Sequence, residues 1–447
     1  MFMASRPTTA QILLLSLVLH ILLLLYANQV DSHPELFGGL KYTDIDWLVI
    51  SDGAALVFGG GLESTRAKGW LVQMTGWGIG DPYQRATFRY TPLLPLLLSP
   101  TIIHPLLGKL LLVPISLAVP LILLWSPGDD PARLGDGQAP FWPMHLLWTL
   151  NPFVLNITTR GSPEAVIICL VVATIGCLRA AGVRVDPKKG NATASAGSTS
   201  TFWEICAAIL FALSISYKIY PIIYAPAIWV SLSQRYGWLG WSVWRFGMVT
   251  VVTMIAINGV LFSIWGQPFL HHTFFYHLSR LDHRHNFSPY FYPIYLSLFS
   301  SSTITSPSIL VSIIRHPLAS FLPQSILVLA AGFLLTPRTG LVFAMFVQTA
   351  CFVIFNKYFM WFLPLLPSVL PYLRIPSRKA SKMVGAWIAA QAMWLGIAYQ
   401  LEFLAREVYL SLWLAAIALF AVSVSVLGEM IEGFDVQPRL TPAKEDQ

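Results

Sequence analysis

Three carboxylates, Asp44, Asp46 and Asp52, stand together in "KYTDIDWLVISDGAAL", within a chain in which only 11% of residues are charged. On an extended segment the Asp44 and Asp46 side chains fall on one side; on a helix they are ~200° apart, so only one faces a shared ligand. Such a pair suits a general base with a second acid that orients a sugar, a hydroxyl or a cation. The plainer reading is a solvated loop in which Asp46 caps a helix, and a D-x-D string alone does not decide between them.

Cations supply the other half of a possible site. In "DPYQRATFRYTPLLPLLL", Arg85 and Arg89 are four residues apart, a spacing that on a helix gives one shared face. Guanidinium groups stay charged and bind phosphate oxygens in pairs, so they suit a lipid phosphate at a membrane surface; snorkelling to headgroups is the competing use. The stretch "HHTFFYHLSRLDHRHNFSPYFYP" combines His271, His272, His277, His283 and His285 with Arg280, Asp282 and Arg284 among aromatics. It lacks the H-x-x-x-H pair of a helical zinc site. Its imidazoles and guanidiniums fit a phosphate leaving group, with aromatics facing a sugar or an isoprenoid chain. Lys218 and Lys357 interrupt apolar runs, where a charge is costly and usually functional. Arg160 and Glu164 in "NITTRGSPEAV" mark a helix start, with Glu164 near the positive end of its dipole.

Groups of this kind need a scaffold, and composition says which. The 447 residues are 55% hydrophobic with a mean hydropathy of +0.64, well above what a soluble core requires. A hydrocarbon layer takes ~20 apolar residues per helix. Runs of that kind recur near 10–27, 106–126, 141–155, 163–181, 203–217, 219–233, 245–265, 319–335, 340–356, 358–373, 383–399 and 405–427. They are continuous rather than alternating, so the expectation is an all-α polytopic membrane protein with ten to twelve transmembrane helices, twelve being preferred. The first run reads as a retained signal anchor rather than a cleaved signal peptide.

Arg179, Arg184, Lys188 and Lys189 in one connection, and "RIPSRKASK" in another, assign both connections and both chain ends to the cytosol. That leaves three luminal stretches: 28–105, the "NITTRGSPE" turn and 267–318. Residues 182–202 read as a flexible cytosolic linker and 428–447 as a cytosolic tail of one multi-spanning domain, 1–447. The luminal Arg66, Lys68, Arg85, Arg89, Arg280 and Arg284 run against the charge rule, and binding an anion would keep them there. The four cysteines lie in apolar runs without metal-ligand spacing and read as packing residues. A net charge of +7 without a basic stripe on a soluble domain argues against nucleic acid as a partner.

"YTDID", "YQRATFRYTPLL", "NPFVLNITTRGSPEA", "YKIYPIIY", "YHLSRLDHRHNFSPYFYPIYL", "FNKYFMWFLPLLP" and "QAMWLGIAYQLEF" follow one another between residues 41 and 404. In content and order they resemble the catalytic subunit family of GPI mannosyltransferase I, the PIG-M family. The resemblance implies a GT-C type glycosyltransferase of the endoplasmic reticulum membrane with luminal catalytic loops. It implies transfer of the first mannose of the GPI anchor, in α-1,4 linkage, from dolichyl-phosphate mannose to glucosaminyl-phosphatidylinositol, and a small membrane-anchored luminal accessory subunit as partner. A β-linked donor and an α-linked product imply direct displacement with inversion.

The family's aspartate pair matches Asp44 and Asp46, one of which, with Asp44 preferred, takes the acceptor proton. Phosphate contacts then fall to Arg89, Arg160, Lys218, His283, Arg284, His285 and Lys357. No metal site is assigned, and a divalent cation bridging the aspartates and the phosphate stays open. Two features depart from the family pattern: "GGGLESTRAKGWLVQMTGWGIGD" is inserted after the aspartates, and Tyr358 follows Lys357 directly where the family has a short intervening segment. The rival readings are another dolichyl-phosphate-mannose-dependent mannosyltransferase, a polytopic lipid transporter, for which inverted repeats are expected and none is visible, and a non-catalytic scaffold.

Overall fold

The computed structural model describes residues 7–59, 65–124, 141–185, 198–279, 286–299, 316, 321–355 and 364–436. Among them the regular structure is helical, and extended pairing is limited to two isolated bridges, Arg66 with Gly80 and Leu373 with Phe434. Among the described residues six helices are long and apolar enough to cross a membrane: Thr9–Ser32, Pro105–Leu124, Ser200–Tyr217, Trp241–Trp265, Phe321–Thr339 and Tyr409–Glu432.

Two expected spans differ in form. The run at 141–155 is broken, because Asn151 accepts from the N–H of Phe153 and starts a new helix in which Pro152, lacking an N–H, sits at the first position. The run at 219–233 begins with a tight turn, Tyr220–Tyr224, before a 12-residue helix, Ala225–Tyr236. Most of the run at 358–373 lies outside the described residues.

The chain forms two compact units, one drawn from Met1–Val185, Asn191–Ile222 and Leu232–His277, the other from Asp186–Gly190, Ile223–Ser231 and Leu278–Gln447. In the first unit, α1 (Thr9–Ser32) opens with a capping box between Thr8 and Gln11. It packs on α3 (Pro105–Leu124) and α4 (Pro152–Thr159); α3 packs on α5 (Glu164–Ala180), α5 on α6 (Ser198–Tyr217), and α6 on α7 (Trp241–Trp265).

Between α1 and α3 the chain forms α2 (Ile45–Phe58) and a series of turns rather than an open loop. Val49, Val57, Phe88, Trp265 and Phe269 are buried together there. The inserted segment is part of that core: Ala67 and Val72 join it, Gly80 donates to Val57 at 2.9 Å, and the Trp265 indole donates to the Gly80 carbonyl at 3.0 Å. Gly80 is required where it stands, since a β-carbon would sit 1.8 Å from the Leu56 carbonyl oxygen.

In the second unit, α8 (Phe321–Thr339) packs on α9 (Leu341–Ile354), α9 packs on α11 (Tyr409–Glu432), and α10 (Ser377–Glu402) packs on α11. Phe291, Trp394, Leu412 and Leu419 form its core. The Phe287 ring lies 4.1 Å from Trp394, and the Trp413 indole donates to the Pro289 carbonyl at 2.8 Å. The "NFSPYFYP" and "QAMW" stretches, about a hundred residues apart in the chain, are therefore packing partners.

Candidate functional site

Asp44 is the N-cap of α2. Its backbone is extended, and its carboxylate accepts from the N–H of Asp46 at 3.4 Å, a long bond. The same residue is held from the "TTRGS" turn by two groups of Arg160. The Asp44 N–H donates to the Arg160 carbonyl at 3.1 Å, and the Arg160 guanidinium lies 3.8 Å from the Asp44 carboxylate. Asp46, in the first turn of α2, is exposed, so the two carboxylates differ in surroundings.

The turn that presents Arg160 is fixed by its neighbours. Gly161 has φ +89°, and a β-carbon there would meet the Trp47 ring at 2.6 Å. Trp47, on the first turn of α2, is 2% exposed. Glycine at 161 thus lets the turn close over Trp47 and brings Arg160 onto Asp44. On the far side of the turn, Lys218 pairs with Glu164 at 2.6 Å, and the Tyr217 hydroxyl donates to the Pro163 carbonyl at 3.3 Å. Lys218, expected as a phosphate contact, thus ties the start of α5 to the end of α6.

Asp52, eight residues after Asp44 and about 12 Å further along α2, pairs with Arg85 at 2.8 Å. Arg85 and Arg89 do not share a helix face. Asp81 accepts from the Tyr83 N–H at 3.0 Å and caps the single turn Pro82–Gln84, after which Arg85 is extended and the chain turns away. Phe88 then packs on α2 at Gly53, where a β-carbon would meet its ring at 2.7 Å. Burial of Asp81 pushes its carboxyl above the ordinary value, and burial pushes the Tyr83 phenol up strongly.

Arg89 belongs to a second group, made with the start of the histidine-rich stretch. Its guanidinium lies over the Tyr276 ring, 4.5 Å from the centroid, and His277 Nε2 lies 3.2 Å from the Arg89 carbonyl oxygen. His272 stacks on Tyr83 at 5.3 Å, and the Tyr83 hydroxyl is 2.9 Å from that of Thr273. Burial, with the Arg89 guanidinium and His271 nearby, holds His272 below the usual imidazole value. The Nε atoms of Arg89 and Arg160 are buried and meet no acceptor among the described residues. His283, Arg284, His285 and Lys357 lie outside the described residues.

A model of the mannosyltransferase (PIG-M) family matches residues 157–431. The chain belongs to the PIG-M mannosyltransferase family. Membership makes it a glycosyltransferase, an enzyme. "GPI mannosyltransferase 1" of Gibberella zeae is 35% identical over 451 residues, covering 95% of this chain and 94% of the relative. The Dictyostelium discoideum protein of the same name is 31% identical over 451 residues, covering 95% and 91%. "GPI alpha-1,4-mannosyltransferase I, catalytic subunit" of Danio rerio is 32% identical over 414 residues, covering 88% and 90%.

The PIG-M match includes Arg160 and Lys218, while Asp44, Asp46 and Arg89 precede it. Two residues that hold the aspartates in place carried no signal of their own in the sequence. Asp31 and Lys109 converge on the segment just before Asp44, with their charged atoms 3.7 Å apart.

Proposed function

We propose that this chain transfers the first mannose of the GPI anchor from dolichyl-phosphate mannose to glucosaminyl-phosphatidylinositol, forming an α-1,4 bond. Membership in the PIG-M family supports the reaction class, and the names of the relatives support the pathway and the linkage. The proposed architecture is that of a GT-C type enzyme with ten to twelve spans in the endoplasmic reticulum membrane, with the aspartate site on the luminal side. A small luminal accessory subunit is the proposed partner.

One observation carries the mechanism: Asp44 is fixed at a helix N-terminus and faced by Arg160. Asp44 takes the proton from the acceptor 4-hydroxyl as that oxygen attacks the anomeric carbon, and the bond to the dolichyl phosphate breaks on the opposite face, inverting the centre. Arg160 keeps the carboxylate aimed until the proton arrives. The departing phosphate is a weak base and leaves unprotonated, so it needs cations rather than an acid. Arg89, Arg160, Lys218, His283, Arg284, His285 and Lys357 are its proposed contacts. Asp46, exposed beside Asp44, orients the acceptor sugar.

Among the described residues no three His, Cys, Asp or Glu side chains group as a metal site, and Asp44 faces a guanidinium rather than a second carboxylate. The mechanism is written without a metal cation.

The test is acceptor profiling in membranes that lack endogenous first-mannose activity. With labelled dolichyl-phosphate mannose, glucosaminyl-phosphatidylinositol should be mannosylated in α-1,4 linkage. Transfer only to a later GPI intermediate or to a protein acceptor would assign the chain to a different mannosyltransferase.

A further inference from the structure

Three successive residues lead into α2, and each backbone N–H is taken by a group distant in sequence. Tyr42 donates to Asp31 Oδ1 at 2.8 Å, Thr43 donates to the same oxygen at 3.1 Å, and Asp44 donates to the Arg160 carbonyl at 3.1 Å. Asp31 Oδ2 accepts from the Thr43 hydroxyl, whose oxygen in turn accepts from Lys109 Nζ. The Asp31 carboxylate, in the last turn of α1, thus has every contact directed at the segment that presents Asp44 or at Lys109.

Lys109 is the less expected partner. It stands in α3 with its side chain 4% exposed, its Nζ 3.7 Å from Asp31 Oδ2 and 5.9 Å from the centre of the Trp47 ring. A buried ammonium without a counter-ion is strongly unfavourable, so Lys109 and Asp31 each fix the position of the other. Glycine at the preceding position makes room: a β-carbon at Gly108 would meet Trp47 at 2.8 Å and Thr101 at 2.1 Å. Tyr42 adds a further tie, since its hydroxyl lies 2.8 Å from that of Thr159 and accepts from Asn156 Nδ2 at 3.3 Å.

We propose that Asp31 and Lys109 are positioning residues for the transfer reaction, a buried ion pair that holds the Tyr42–Asp44 backbone so that the Asp44 carboxylate meets the acceptor hydroxyl. The proposal rests on the reading of Asp44 as the base. Its chemistry is specific to charge. An amide at position 31 places an NH2 group against donors it cannot serve and leaves the Lys109 ammonium uncompensated. A displacement of the base by a fraction of an ångström to an ångström lowers turnover without changing how either lipid substrate is bound.

The experiment measures kcat and KM for dolichyl-phosphate mannose per mole of folded enzyme, in the full-length protein in microsomes. The variants are Asp31→Asn, Lys109→Met, the double variant Asp31→Asn/Lys109→Met, and Asp31→Asn in the Asp44→Asn background. Each single variant should lose roughly tenfold to a hundredfold in kcat with KM within about twofold. The double variant, which carries no uncompensated buried charge and so should fold even where a single variant does not, should lose no more than the worse single one.

In the Asp44→Asn background, Asp31→Asn should lower the residual rate no further. Multiplied losses in the double variant, a wild-type kcat in it or in Asp31→Asn, or a rise in KM with unchanged kcat would overturn the proposal. Full activity of Asp44→Asn alone would instead overturn the base assignment beneath it.

Discussion

Asp44 and Arg160, 116 residues apart in the chain, hold each other twice: the Asp44 N–H donates to the Arg160 carbonyl at 3.1 Å, and the guanidinium of Arg160 lies 3.8 Å from the Asp44 carboxylate. The backbone contact fixes where α2 begins, and the side-chain contact fixes where its capping carboxylate points. The Arg160 side chain as a whole is 42% exposed.

Replacing Arg160 by alanine should therefore lower the rate of mannose transfer by roughly 10²–10³-fold, the cost of losing one group that stabilises developing charge. Lysine at the same position keeps the charge without the planar fork and should fall between alanine and wild type. Initial rates at equal enzyme amounts check both; equal rates for Arg160→Ala and wild type would remove Arg160 from the site.

Asp52 makes the opposite prediction. Its side chain is 58% exposed where it pairs with the half-buried Arg85, and pairs open to solvent contribute about 0–1 kcal/mol. Asp52→Ala should shift the melting temperature in detergent little and leave transfer within about threefold of wild type. A loss as large as that expected for Asp44 would move the chemistry along α2.

Gly161→Ala combines a backbone penalty with a collision. The φ of +89° costs an L-residue ~1–2 kcal/mol, and the added carbon meets the Trp47 ring. Thermal unfolding should show a lowered midpoint, and the transfer rate should fall with it, because the turn that carries Arg160 must move. A variant as stable and active as wild type would show that the turn is not fixed by Trp47.

His272 gives a dependence on pH. Its folded-state pKa lies below the unfolded value of ~6.5, chiefly through burial and further through Arg89 and His271. A depressed imidazole contributes stability that is complete above the unfolded value and is lost as pH falls through the folded one. Thermal stability should thus decline between roughly pH 6.5 and the more acidic folded value. His272→Phe, which preserves the stack on Tyr83, should flatten that decline. An unchanged profile would mean that His272 does not govern it.

The aspartates, the arginines and the first histidines were legible because charge is rare in this chain and each stands out against apolar surroundings. The contact between Asp44 and Arg160 was not, since no spacing rule links a helix cap to a turn so far along the chain. Arg85 and Arg89 have helical spacing, but Pro82 and the Asp81 cap make the segment a single turn, and local capping overrides periodicity. The break at Asn151–Pro152 was hidden in the same way, inside a run whose hydrophobicity reads as continuous. Asp31 and Lys109 give no signal in the sequence because each looks like the polar edge or the odd charge of an apolar helix. Only the packing of α1 on α3 reveals that they meet.

The most direct measurement is the rate of mannose transfer from dolichyl-phosphate mannose to glucosaminyl-phosphatidylinositol by Asp44→Asn, an isosteric change that removes the base but can still cap α2. The predicted result is a folded enzyme that binds both lipids and turns over ~10²–10⁴-fold more slowly than wild type. A rate within about twofold of wild type would contradict the assignment of Asp44 as the group that takes the acceptor proton.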